Sequence, residues 1–211
     1  MTTLARTERI ALADLMLEVG PDAPTLSGDW TTRDLAAHLI LRKGRPDAAV
    51  GIVAGPFASY TAKVQAQIAA KPWGDMVETL RNGPPRWSPQ SIGRLDAESN
   101  TVEYFVHHED VRRCIDGWQV RELTSDEIVQ LWPRMKRMAK LVVRKSPVGI
   151  VVVPSDGPDA GANIRLKDGD RDVVVSGPSS ELSLAIFGRV TQGLTFEGSV
   201  ADIEAFGSFP R

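Results

Sequence analysis

VEYFVHHEDVRR, residues 102–113, holds two of the chain's three histidines side by side, with acids on both flanks and two arginines behind. On a helix, residues i and i+4 share a face, with Cβ atoms about 5–6 Å apart. Glu103 and His107 have that spacing, and the stretch predicts a helix from about residue 92 to residue 115, stopped by Asp116-Gly117. Both side chains would then reach one ion at bond lengths of about 2.0–2.2 Å. Asp110, three residues past His107, leans onto the same face. There it would accept the imidazole's second N–H and fix its tautomer. His108 is turned about 100° away and has Arg112 as its i+4 neighbour.

The third histidine, His38, lies in WTTRDLAAHLILRKGRPDA, residues 30–48, within an apolar stripe of Leu35, Leu39 and Leu41. Thr31 is a candidate N-cap, and Asp34 three residues later makes an acidic variant of the capping box. Pro46 ends or kinks this helix. Helix bundles build metal sites from side chains on facing helices. If these two helices face each other, His38 completes a ligand set of two histidines and one glutamate. Three protein ligands leave one position open, the pattern of a catalytic zinc. Plainer alternatives stand beside this one. A Glu-x-x-x-His pair also fits a salt-bridged helix face, a lone His38 fits a satisfied core histidine, and the HED and RR charges fit a solvated surface. Cys114, seven residues after His107, fits a soft ligand or a small buried residue.

Around these two stretches the N-terminal part reads as helical. Residues 3–19 form an amphipathic helix ended by Gly20-Pro21, residues 57–70 and 74–82 form one interrupted helix or two, and NGPPRWSP, residues 82–89, is a loop. A further helix spans 124–144, capped by Thr124 or Ser125, with Pro133 marking a kink or a late start. After Ser146-Pro147 the pattern changes. VGIVVV, NIRLK, DVVVSG and LTFEGS read as strands, and SSELSLAIFGRV and VADIEAFG as short helices. The expected class is α+β, with a helical domain over 1–145 and a small α+β domain over 146–211.

The 211 residues carry a net charge of −2, which gives no electrostatic reason to expect a nucleic-acid partner. No apolar run approaches the roughly 20 residues of a membrane span. The single cysteine cannot form an internal disulfide, so a cytoplasmic setting is expected.

Three motifs add a family resemblance. Residues 30–39 resemble the W-x-x-x-D-L-x-x-H-L element of the DinB-like metal-binding four-helix bundles. VEYFVHHED resembles the E-x-x-x-H-x-x-D element of the mycothiol-dependent maleylpyruvate isomerase branch, and SGPSSELSLAIFGRV followed by FEGS resembles that branch's small sterol-carrier-like domain. RPDA and HHEDVRR resemble an actinobacterial metal-binding subgroup, which leaves the substrate open. The resemblance implies His38, Glu103 and His107 as ligands to a divalent ion, usually zinc, with mycothiol as a possible thiol cosubstrate. It implies an isomerase or thiol transferase acting on a small molecule. Arg42, Arg45 and Arg189 are then candidates to hold a substrate carboxylate; Arg189, in the GR motif, is the candidate catalytic residue, while Arg42 and Arg45 are expected at the surface. A non-catalytic protein that binds a small ligand and keeps a structural metal is the alternative.

Overall fold

The computed structural model describes residues 3–49, 55–83 and 93–210. The chain is α+β and divides into two compact units, Met1–Trp118 and Gln119–Arg211.

The first unit is helical: α1 (Leu4–Val19), α2 (Thr32–Gly44), the short α3 (Pro46–Ala49), α4 (Ala58–Ala69), α5 (Trp73–Asn82) and α6 (Gly93–Arg112). One apolar core joins them, built from Leu12 and Met16 of α1, Leu35, Leu39 and Leu41 of α2, Val64 of α4, Met76, Val77 and Leu80 of α5, and Tyr104 and Val111 of α6. Burying each such aliphatic side chain contributes about 1.5–3 kcal/mol, so the shared core holds α2 and α6 in fixed positions. Most of the NGPPRWSP loop and the residue expected to begin the α6 helix lie outside the described residues.

The second unit begins with α7 (Ser125–Val142), which runs through Pro133. It continues with β1 (Gly149–Pro154), β2 (Ile164–Lys167), β3 (Asp172–Gly177), α8 (Ser179–Ile186), β4 (Thr195–Glu197) and α9 (Val200–Ser208). The strand order is β2-β1-β3-β4. β1 pairs antiparallel with β2 and parallel with β3, and β3 pairs antiparallel with β4. Helix α7 therefore groups with the strands, whereas the sequence placed the boundary after residue 145. The cause is its apolar face: Ile128, Leu131, Trp132, Met135 and Ala139 are buried, and the helix packs on α8 and β2. Asp159, in the loop after β1, accepts the Trp132 indole N–H at 3.0 Å and pairs with Lys136, which ties the loop to the helix.

Helix α2, the carrier of His38, starts at a complete capping box. The Thr31 hydroxyl accepts from the Asp34 amide at 3.3 Å, and the Asp34 carboxylate accepts from the Thr31 amide at 3.0 Å. The helix ends at Gly44, and Pro46 opens α3 instead of extending it. Replacing an N-cap threonine by alanine costs about 1 kcal/mol. Thr31→Ala should therefore lower the urea midpoint by the equivalent of about 1 kcal/mol, and Thr31→Ser should recover most of the loss.

Candidate metal centre

Helix α6 sets Glu103 and His107 one turn apart, and α2 brings His38 to them. One ligand atom from each of the three residues lies within 4.8 Å of the others. Bonds of about 2.1 Å to a tetrahedral ion would put ligand atoms about 3.4 Å apart, so small side-chain rotations close the set. The His38 and His107 rings meet edge to face, with centroids 5.9 Å apart. Trp30, just before α2, covers the His38 ring at 4.9 Å.

Each imidazole is prepared differently. His107 shares its Nδ1 proton with Asp110 Oδ2 at 2.9 Å. Asp110 is fully buried, and the same oxygen accepts the Ser27 hydroxyl at 2.7 Å. With Nδ1 bound to a fixed carboxylate, Nε2 is the nitrogen left with a lone pair for an ion. His38 is mostly buried, and its pKa falls from 6.5 to about 4. Burial is the main cause, followed by the nearby His107, with Glu103 opposing. At neutral pH, His38 is therefore a neutral ring, as a metal ligand must be.

Glu103 is the third member. Its side chain is only 4% exposed, and two cations on α2 neutralise it: Arg42 Nε lies 2.8 Å from Oε1 and Lys43 Nζ 2.6 Å from Oε2. Burial pushes its pKa up, but Lys43, Arg42 and His107 together outweigh burial and hold the carboxyl below its usual range. Each oxygen is thus engaged by one cation, so an ion bound here would share an oxygen with Arg42 or Lys43 or displace it. Two imidazoles and one carboxylate are the donor set of a zinc site with an open position, so these residues fit a divalent ion.

His108 is outside the group. It turns toward α1, where its Nδ1 meets Glu8 Oε2 at 2.8 Å, and Arg112 bonds to Glu109 at 3.2 Å. Cys114 is also outside the group. Its Sγ leans on the Asp110 carbonyl at 3.5 Å, and burial, with Asp110 adding to it, raises the thiol's pKa. The HED and RR charges are no solvated face, because Glu109, Asp110 and Arg113 are all buried and Arg113 bonds Glu109 at 2.8 Å.

Sequence reasoning missed Lys43 and named Arg42 only as a candidate carboxylate holder. Arg42 was expected at the surface, yet it contacts the candidate ligand, and its position four residues after His38 was the available signal. Arg45 does face solvent, paired with Asp47 at 2.7 Å and with Tyr60. Arg189 belongs to the second unit. Its Nη1 donates to the Phe187 carbonyl at 2.9 Å, and it lines a cavity of about 200 Å³ with Ala185, Phe196 and Phe206. His38 also lines a cleft of about 480 Å³, together with Trp30, Asp34, Thr61, Gln65 and small side chains of α4. No helix among the described residues is long and apolar enough to cross a membrane.

No family model and no curated protein matches the chain. Among solved structures, the chain is similar to the mycothiol-dependent maleylpyruvate isomerase, at 16% identity and a TM-score of 0.55, over 95% of this chain and 98% of that one. It is similar in the same way to a histidine-to-alanine mutant of that enzyme, at 15% identity and a TM-score of 0.55, with the same coverage. At this identity the likeness shows a shared fold.

The lowered His38 pKa has a consequence for the metal-free protein. The unfolded chain takes up this proton near pH 6.5 and the folded chain only near 4, so the stability due to neutral His38 is complete above 6.5 and is lost as pH falls through that window. In a chelator, urea unfolding at pH 7 and pH 5 should differ by about 2 kcal/mol from this residue, and His38→Gln should remove that part of the slope.

Proposed function

We propose that this chain holds one divalent ion, zinc, at His38, Glu103 and His107. We further propose that it uses the ion to bind and ionise a low-molecular-weight thiol, in an isomerase or thiol-transferase reaction of the mycothiol-dependent type. The observation that supports this most is the convergence of three ligand-type side chains from positions 38, 103 and 107, with one imidazole locked by a buried aspartate. The shared fold with a mycothiol-dependent isomerase is consistent with it. In this reading the first unit is a DinB-like bundle, the second is a sterol-carrier-like domain, and the protein works in the reducing cytoplasm on a small molecule.

A divalent ion bound here supplies charge that favours a thiolate over a thiol near neutral pH. The ion would thereby make a thiol sulfur available as a nucleophile, its proton passing to water. The chain's own residues set the geometry. Asp110 fixes the His107 ring, Trp30 packs on His38, and α2 holds Glu103 through two cations. We assign to Arg189 the holding of a substrate carboxylate, where the planar guanidinium fork gives two parallel hydrogen bonds.

The alternative of a purely structural metal is less well supported. Structural zinc sites are closed by four protein ligands, whereas three ligand-type residues gather here among the described residues.

Metal analysis after exhaustive dialysis tests the reading. The wild-type chain should carry one zinc per chain. His107→Ala should lose it, while His108→Ala should keep the zinc and lose stability instead, because its ring contacts Glu8 on α1. Equal zinc loss in both variants would show that the wrong histidine has been assigned.

A further inference from the structure

Both carboxylate oxygens of Glu103 are in use: Oε1 by Arg42 and Oε2 by Lys43. An ion that takes either oxygen must share it with a cation or displace one. The two cations are not equivalent. The Lys43 side chain is 6% exposed and lies over the Tyr104 ring at 5.6 Å. The Arg42 side chain is 36% exposed, so its guanidinium can swing out without losing solvation.

A charge count points the same way. The acids Glu103 and Asp110 balance the bases Arg42 and Lys43. Adding a divalent ion leaves a surplus of two positive charges in a largely buried place. Such a surplus is relieved by anionic ligands far better than by neutral ones. A thiolate supplies one negative charge, and a carboxylate on the same or a second ligand supplies the other.

We infer that Arg42 exchanges partners: it holds Glu103 in the metal-free chain, and on metal binding it turns to a carboxylate of the ligand at the open coordination position. Arg42 is thus a specificity-determining residue for anionic ligands, and metal and carboxylate bind cooperatively through it. This rests on the metal-and-thiol reading above. The exchange also explains why an arginine, and not a second lysine, occupies the more exposed position. Its planar fork pairs with a free carboxylate in two parallel bonds.

The test uses the full chain loaded with cobalt(II), whose thiolate charge-transfer band reports sulfur coordination. Two probes are titrated, 2-mercaptoethanol and 3-mercaptopropionate, into the wild type and into Arg42→Met, with Arg42→Gln and Arg42→Lys as further variants. Any direct chelation of the ion by the probe's carboxylate is common to all the proteins and cancels in the double comparison. The preference for 3-mercaptopropionate should fall at least about tenfold in Arg42→Met and Arg42→Gln and partly in Arg42→Lys, with 2-mercaptoethanol binding kept. Cobalt(II) alone should bind Arg42→Met several-fold more tightly, because no guanidinium competes for Glu103. An unchanged preference in both neutral variants, or weaker cobalt binding in them, overturns the exchange while the metal reading stands. A wild-type chain that takes up no cobalt, or shows no thiolate band with either probe, defeats the metal-and-thiol reading and this inference with it.

Discussion

A carboxylate removed from water needs counter-charge, and the first unit is arranged around that need. Helix α6 turns Glu103, Glu109 and Asp110 inward, and each is answered: Glu103 by the charges of Arg42 and Lys43, Glu109 by that of Arg113, and Asp110 by hydrogen bonds with His107 and Ser27. His108 answers Glu8 of α1 in the same way. Removing one partner from a buried ion pair costs about 3–5 kcal/mol, so these contacts fix the rotation of α6 about its axis against α1 and α2. That rotation puts Glu103 and His107, and not His108, opposite His38. The site geometry is thus a by-product of charge balance along one helix.

The same balance sets the chemistry. His38 is kept neutral by burial, and His107 presents one nitrogen because Asp110 holds the other. Glu103 stays ionised although buried, because two cations outweigh the cost of desolvation. His38 and Glu103 are therefore in the protonation state that a divalent ion requires before any ion arrives.

Much of this was legible in the sequence. The i, i+4 spacing placed Glu103 and His107 on one face, the three-residue step put Asp110 beside His107, and Thr31 with Asp34 announced the start of α2. The burial of the charged run was not legible, because Glu109 and Arg113 have the same composition on a wet face as in a dry one. The contact of His38 with α6 depends on tertiary packing that periodicity cannot supply; bundle geometry offered it as a condition, and the resemblance of motifs pointed to it. Arg42 was misread because an arginine at a helix C-terminus is usually explained by the helix dipole alone. The grouping of α7 with the strands was not legible, because an amphipathic pattern says that a face is buried, but not against what.

The central claim is that His38, Glu103 and His107 bind one ion and leave it a position for sulfur. X-ray absorption at the zinc edge of the loaded chain tests it most directly. The account predicts only nitrogen and oxygen neighbours at about 2.0–2.1 Å, including two imidazoles, and one sulfur neighbour at about 2.3 Å once a small thiol is added. A sulfur neighbour before any thiol is added, which would bring in Cys114, or an unchanged spectrum after saturation with thiol, would contradict it.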